Sequence, residues 1–248
     1  MIYHRDSYVS GSMCDCRTQL SLLAADCIVE NAVTELMGEL GIDGITAIEK
    51  HNAMWLMVKN RIHFIRQPAW REEFTIKSFI TECSGAKLDI DTVISATDGS
   101  GLITAKTEFA VIDLESGKLR KAETVGCSQS MVHPSETTEL RFTRFPKTEG
   151  IDIDSVTIRS TDIDYCFHTN NVQYVRFVLD TYDTEWHKQH TPADIEIHYT
   201  GQSFEGEKLV IEKLSSDSGD LFRIKRDSKE LTSCMICWKD TAIGQSFR

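Results

Sequence analysis

DIDYCFHTNNVQYVRFVLD, Asp162 to Asp180, is the stretch on which the fold reading turns. Two carboxylates, a thiol, an imidazole and an asparagine pair crowd together ahead of apolar residues. Val172, Val175, Leu179 and Tyr182 then recur at helical spacing, which predicts a polar turn feeding an amphipathic helix. Asp162 and Asp164 could serve only as helix caps, a position that favours aspartate. The alternative is that the turn carries chemistry, with Asp162 itself left out of it.

Working outward, a second such unit lies upstream. SMCDCRTQLSLLAADCI (Ser12 to Ile28) also runs into a helical pattern, with Leu20, Ala24, Ile28, Ala32 and Leu36 in an i, i+4 row. A gap-free alignment sets Met13 against Asp164, Asp15 against Cys166 and Arg17 against His168. IHFIRQP (Ile62 to Pro68) and IHYTGQS (Ile197 to Ser203) match in the same way, each placing Ile-His-aromatic ahead of a glutamine. The chain therefore reads as two copies of one module. Each copy is expected to hold a short strand, a turn, a helix and a run of alternating strands. Ile103, Ala105, Thr107, Phe109 and Val111 point one way and Thr104, Lys106, Glu108 and Ala110 the other; Phe74 and Ile76 alternate with Thr75 and Lys77. One helix per run of antiparallel strands predicts an α+β fold, each sheet wrapped on a helix. The expected division is 1–128, a linker over 129–154 that holds two of the four prolines, and 155–248.

Bulk properties exclude several classes. The 248 residues carry a net charge of −11, which opposes nucleic acid and anionic membranes. No apolar run is long enough to span a bilayer, and MIYHRDSYVS has no hydrophobic segment of a signal peptide; a cytoplasmic location is the expectation. Of the eight cysteines, Cys234 and Cys237 fall in an apparent strand where residues three apart face opposite ways. No second CxxC or HxxxH completes a metal site, so free thiols and no metal are expected.

The architecture of a helix wrapped by a curled antiparallel sheet is the hotdog, and two fused copies with an acid-rich turn before the second helix resemble the acyl-acyl carrier protein thioesterases. DIDYCFHTNNVQYVRFVLD matches that family's pattern Asp-x-Asn-x-His-x-Asn-Asn-x-x-Tyr except at Cys166. WLMVKNRIHFIRQPAWREEFTI (Trp55 to Ile76) resembles its strand pair. The resemblance implies a tandem hotdog that hydrolyses fatty acyl thioesters of acyl carrier protein without cofactor or metal. It places the active site in the second module, with much of the acyl pocket from the first. By the same resemblance Asp164 orients its neighbours and His168 holds or activates water or the thioester. Cys166 stands where the family has an asparagine, Gln202 where it has an acid, and Ser203 where some members have a cysteine. Glutamine cannot act as a base near neutral pH. Three outcomes stay open: Cys166 as nucleophile, Asp164 or His168 acting as base through a water, or acyl binding with little turnover. An acyl-CoA thioesterase and a non-hydrolytic acyl-binding protein are the alternative functions.

Met13, in the alignment above, replaces the acid of the first copy, so that module is expected to be chemically silent. His63 and His198 are expected to be structural, Gln67 and Gln202 to hydrogen-bond at a bend, and Trp55 to fill core beside the pocket. Because the carrier is acidic, local basic stretches would have to receive it. The candidates are RFTRFPK (Arg141 to Lys147), RIKR (Arg223 to Arg226) and KLRK (Lys118 to Lys121). A monomer and a homodimer are both compatible with two fused modules.

Overall fold

A computed structural model describes residues 1–241. The first half runs β1 (Tyr3–Tyr8), α1 (Leu22–Glu39), α2 (Gly44–His51), β2 (Ala53–Phe64), β3 (Glu73–Ser84), β4 (Lys87–Ala96) and β5 (Gly101–Asp113). The second repeats the order with β6 (Ile151–Thr157), α3 (Asn171–Leu179), α4 (Thr184–Gln189), β7 (His190–Tyr199), β8 (Lys208–Ser216), β9 (Gly219–Arg226) and β10 (Lys229–Asp240). All ten strands form one sheet, ordered β1-β3-β4-β5-β2-β7-β10-β9-β8-β6. The order reads identically from either edge once each strand is replaced by its counterpart, which is the duplication expressed as topology. The two expected sheets are thus continuous, joined where β2 and β7 run antiparallel with Ile62 opposite Ile195.

The alternation in the sequence decides which face each strand buries. Ile103, Ala105, Thr107, Phe109 and Val111 of β5 are buried, while Thr104, Lys106, Glu108 and Ala110 are half-buried. In β3, Phe74 and Ile76 are buried between the half-buried Thr75 and Lys77. The buried faces close on the two central helices, which start at side-chain caps. Ser21 accepts the Ala24 N–H at 3.1 Å ahead of α1, and Asn170 accepts the Val172 N–H at 2.9 Å ahead of α3. The helices differ in length: α1 has 18 residues and α3 only nine. Apolar residues surround α1 beyond the expected row, Leu22, Ala25, Val29, Val33 and Met37 being buried with Ile28, Ala32 and Leu36. Leu20 is buried ahead of the helix and Ala24 is half-buried.

Between the halves, residues 132–150 form neither helix nor strand, and β6 starts at Ile151, inside the stretch assigned to the linker. This segment is tied to charged groups on the outer face of the sheet. Asp91 accepts from the Thr138 N–H and hydroxyl at 2.8 and 2.7 Å, and Glu196 accepts from the Thr143 N–H at 2.7 Å. Arg223 donates to the Thr148 carbonyl at 2.8 Å and pairs with Glu212 at 2.7 Å. The RIKR cations are accordingly engaged in ion pairs within the chain. Arg223 is buried, Lys225 is paired with Glu212, and Arg226 pairs with Glu207 at 2.8 Å. Of the basic candidates, Lys118, Lys121, Arg141, Arg144 and Lys147 are exposed.

His63 and His198 are both tied to acids, His63 Nδ1 lying 3.1 Å from Asp194 and His198 Nε2 2.7 Å from Glu196. His198 also stacks on Phe145, ring centroids 4.2 Å apart. All eight cysteines are free thiols. No helix among the described residues is long and apolar enough to cross a membrane.

Candidate active site

The turn Ile163–Thr169 is built by its own polar groups. The Asp164 N–H donates to the His168 carbonyl at 2.9 Å, and the Phe167 N–H donates back to the Asp164 carbonyl at 3.1 Å. Phe167 sits in left-handed backbone at φ 63° with its side chain 82% exposed. A bulky residue rarely holds that conformation. Closing the loop this tightly throws the side chains of Asp164, Cys166 and His168 to one side. Asp164 Oδ1 accepts the Cys166 N–H at 2.8 Å, and its Oδ2 lies 3.4 Å from His168 Nδ1. The Asp164, Cys166 and His168 ligand-type atoms all lie within 4.8 Å of one another. By donor type that trio would suit zinc, although the Cys166 thiol is pushed up, first by burial and then by the Asp164 charge. That is the reverse of what thiolate ligation or nucleophilic attack requires.

The trio opens onto a cavity of about 510 Å³ lined from both halves. The first half contributes Trp55, Met57 and Phe109, with Glu30 and Thr34 from α1; Gln202 and Lys229 come from the second. Trp55 is both wall and core: its indole N–H donates to the Ile42 carbonyl at 2.8 Å, and it meets Phe109 edge-on. Gln202 is exposed at the cavity and its side chain makes no hydrogen bond among the described residues. Ser203 is buried beneath it, its hydroxyl 2.8 Å from that of Thr169 and 2.7 Å from that of Tyr174. Those two bonds make Ser203 a structural clamp that ties the loop after β7 to the turn and to α3. Asp162 is likewise structural, accepting from Arg159 N–H at 2.8 Å and pairing with Arg176 at 2.7 Å.

The duplicate turn of the first half corrects the sequence alignment by two residues. Asp15 N–H donates to the Gln19 carbonyl at 2.7 Å, and Cys14 bridges Leu20 as Ile163 bridges Thr169. Asp15 is therefore the counterpart of Asp164, Arg17 of Cys166 and Gln19 of His168; Met13 is the counterpart of Asp162, its carbonyl accepting the Ser21 N–H at 2.9 Å as that of Asp162 accepts the Asn170 N–H at 2.9 Å. The acid of the first turn is present but neutralised. Arg17 pairs with Asp15 at 2.6 Å and donates to Gln67 Oε1 at 2.8 Å, while Gln67 donates to the Leu20 carbonyl at 2.8 Å. The gap-free alignment missed this because it kept the two helical stripes in step at the expense of the caps. Ser21 and Asn170, the cap residues, give the true register.

Two groups of the cavity have no counterpart in the motif. Glu30 is half-buried against the cavity, and its Oε1 is buried without a hydrogen-bond partner among the described residues. Burial, then the charges of Asp26 and Asp164, push this carboxyl well above the ordinary range. The Tyr199 hydroxyl is also buried and has no partner among the described residues, and burial raises it. The sequence signal was slight: Asp26 and Glu30 stand at i, i+4 spacing on α1, but Asn31, Thr34, Glu35 and Glu39 are polar on the same helix.

The fold is a tandem hotdog with an acid-bearing turn ahead of the second central helix. The acyl-ACP thioesterase N-terminal domain matches residues 2–125, and the acyl-ACP thioesterase C-terminal domain matches residues 146–240. The chain belongs to the acyl-ACP thioesterase family, and it is a thioester hydrolase acting on fatty acyl thioesters of acyl carrier protein. Among solved structures, it is similar to an acyl-ACP thioesterase from Bacteroides thetaiotaomicron, with TM-score 0.88 and 18% identity over 96% of this chain and 98% of that one. It is also similar to the 12:0-ACP thioesterase from Umbellularia californica, with TM-score 0.81 and 16% identity over 97% and 98% of the two chains. No curated protein is a sequence match.

Proposed function

We propose that the thioester carbonyl lies at the amino end of α3, with Asp164 and His168 handling the water that attacks it. The observation that carries this reading is the convergence of both side chains on the mouth of a cavity walled by the other half of the molecule. Asn171 is the first residue of α3, so its N–H has no intrahelical acceptor and faces outward with the positive end of the helix dipole. Asn170 already takes the Val172 N–H through its side chain, leaving that of Asn171 to meet the carbonyl oxygen as it gains charge. Such a donor lowers the barrier by about 3 kcal/mol. His168 Nδ1 lies 3.4 Å from the Thr169 carbonyl and 3.4 Å from Asp164 Oδ2, which directs Nε2 as the atom that orients water. The second half thus supplies the turn and helix end that receive the thioester, and the first walls the cavity through Trp55, Met57 and Phe109. Gln202 orients the thioester at the mouth through its amide.

Cys166 is a passive occupant of its position, because its thiol is held in the protonated form. Cys166→Ser keeps kcat within about threefold, and Cys166→Asn, which restores the family residue, equals or raises it. An acyl adduct trapped on Cys166, with both variants inactive, would reverse this reading.

The overall proposal is tested by thiol release from one acyl chain carried on acyl carrier protein and on CoA, using enzyme dialysed against EDTA. Turnover that favours the protein carrier and survives chelation is the expected result. A strong preference for CoA, or activity that returns only with added zinc, would overturn it.

A further inference from the structure

The family acid of this site is absent at Gln202, yet hydrolysis still needs a group to take the proton of the attacking water. We propose that Glu30, projecting from α1 of the first half, is the general base for that water. The inference rests on the placement of the thioester at the Asp164–His168 turn. Three observations carry it. Glu30 lines the same cavity as Asp164, His168 and Gln202, so a carboxylate of the first half shares the space in which the thioester is placed. Its Oε1 is buried with no partner among the described residues, although a buried carboxylate oxygen is ordinarily satisfied. And it lies close enough to Asp164 for the charge of that residue to act on it.

The step balances without a cofactor. The water oxygen attacks the thioester carbon while Glu30 takes one water proton, and the carbonyl electrons move to the oxygen held by the Asn171 N–H. Collapse of the tetrahedral intermediate breaks the C–S bond, and the proton passes from Glu30 to the departing sulfur. The products are a fatty acid and the carrier thiol.

Several groups face Glu30 and set when it is charged. Asp26 and Cys27 flank it on α1, Asp164 and His168 approach from the turn, Tyr199 comes from β7, and Lys229 lines the cavity at the start of β10. Burial and the acids hold the proton on Glu30, so kcat rises with pH as that proton is lost. The first half of the molecule is thereby chemically required, beyond walling the chain.

The test compares Glu30→Gln, Glu30→Asp, Asp164→Asn and Glu30→Gln/Gln202→Glu by steady-state thiol release across pH, with the unfolding midpoint of each. Glu30→Gln lowers kcat by about 10²-fold, leaves KM within threefold and flattens the rise of kcat with pH. Glu30→Asp retains the pH dependence at an intermediate rate, and restoring an acid at position 202 recovers part of the loss. If Asp164→Asn is inactive while Glu30→Gln keeps kcat, the inference fails and the placement of the thioester stands. If neither matters, the placement itself is wrong. A Glu30→Gln effect confined to KM would make Glu30 a contact for the acyl chain and would also overturn the proposal.

Discussion

Asp164→Asn lowers kcat on an acyl-ACP substrate by about 10³-fold while leaving the unfolding midpoint within a few degrees, since losing a positioned proton-handling group typically costs 10²–10⁴. The substitution is conservative where the fold is concerned. An asparagine Oδ1 still accepts the Cys166 N–H, now at 2.8 Å from Asp164 Oδ1, and the main-chain bond from residue 164 to the His168 carbonyl is untouched. It removes the negative charge beside His168 Nδ1, leaving the Thr169 carbonyl as the acceptor there, and with that charge goes the support for any positive charge that develops on the imidazole. His168→Ala should fall similarly, and the double variant should be little worse than either single one. Residues that act as one unit are not additive. Steady-state thiol release with circular dichroism on the same samples reads both halves of the expectation. Retention of kcat within threefold in Asp164→Asn would remove this carboxylate from the mechanism.

What the sequence disclosed about this site, and what it withheld, follows the range of the forces involved. The turn was legible because its residues are contiguous: one left-handed residue and a cap bring Asp164, Cys166 and His168 to a common side within a single short loop. Strand alternation in β3 and β5 was legible for the same reason, since a period of two reports burial locally. The register of the duplicate turn was not, because helical stripes repeat closely enough to tolerate a slip of two residues, whereas the cap and the Asp15–Gln19 hydrogen bond admit none. The fate of RIKR was also hidden. Its cations look free in sequence, and only the folding-back of residues 132–150 and the pairing of β8 with β9 bring Glu212 and the Thr148 carbonyl to Arg223. Glu30 was hidden most completely. Its relation to Asp164 runs from one half of the chain to the other and depends on the joining of two sheets at β2 and β7. A motif confined to one half cannot report a side chain that reaches it from the other.

The same helix carries the second large expectation. Asp26 lies one turn before Glu30 and is fully buried; its Oδ1 accepts from Asn60 at 2.9 Å, and Asn60 in turn accepts from Thr107 at 3.0 Å. Its Oδ2 has no partner among the described residues. Burial pushes this carboxyl up to about 7, against the opposing effect of the Asn60 bond. The sign follows from proton counting. Between the ordinary aspartate value of about 4 and the folded value, the unfolded chain has released the proton that the folded chain keeps. Protonation therefore favours the fold at low pH, and that contribution is lost as pH rises toward 7. In Asp26→Asn the new amide is neutral throughout and similar in shape to the protonated acid, so the variant lacks this loss. It should be more stable than wild type at pH 8 by an amount on the order of a few kcal/mol, and the gap should shrink steadily toward pH 5. Urea unfolding of both proteins at each pH measures the difference directly, and contributions from the other acids cancel in it. Because the Asp26 charge helps to raise Glu30, the same substitution should also move the rise of kcat to lower pH. A stability gap that does not vary with pH would show that Asp26 is already ionised in the fold, and the polar row on α1 would then need a cation to hold it.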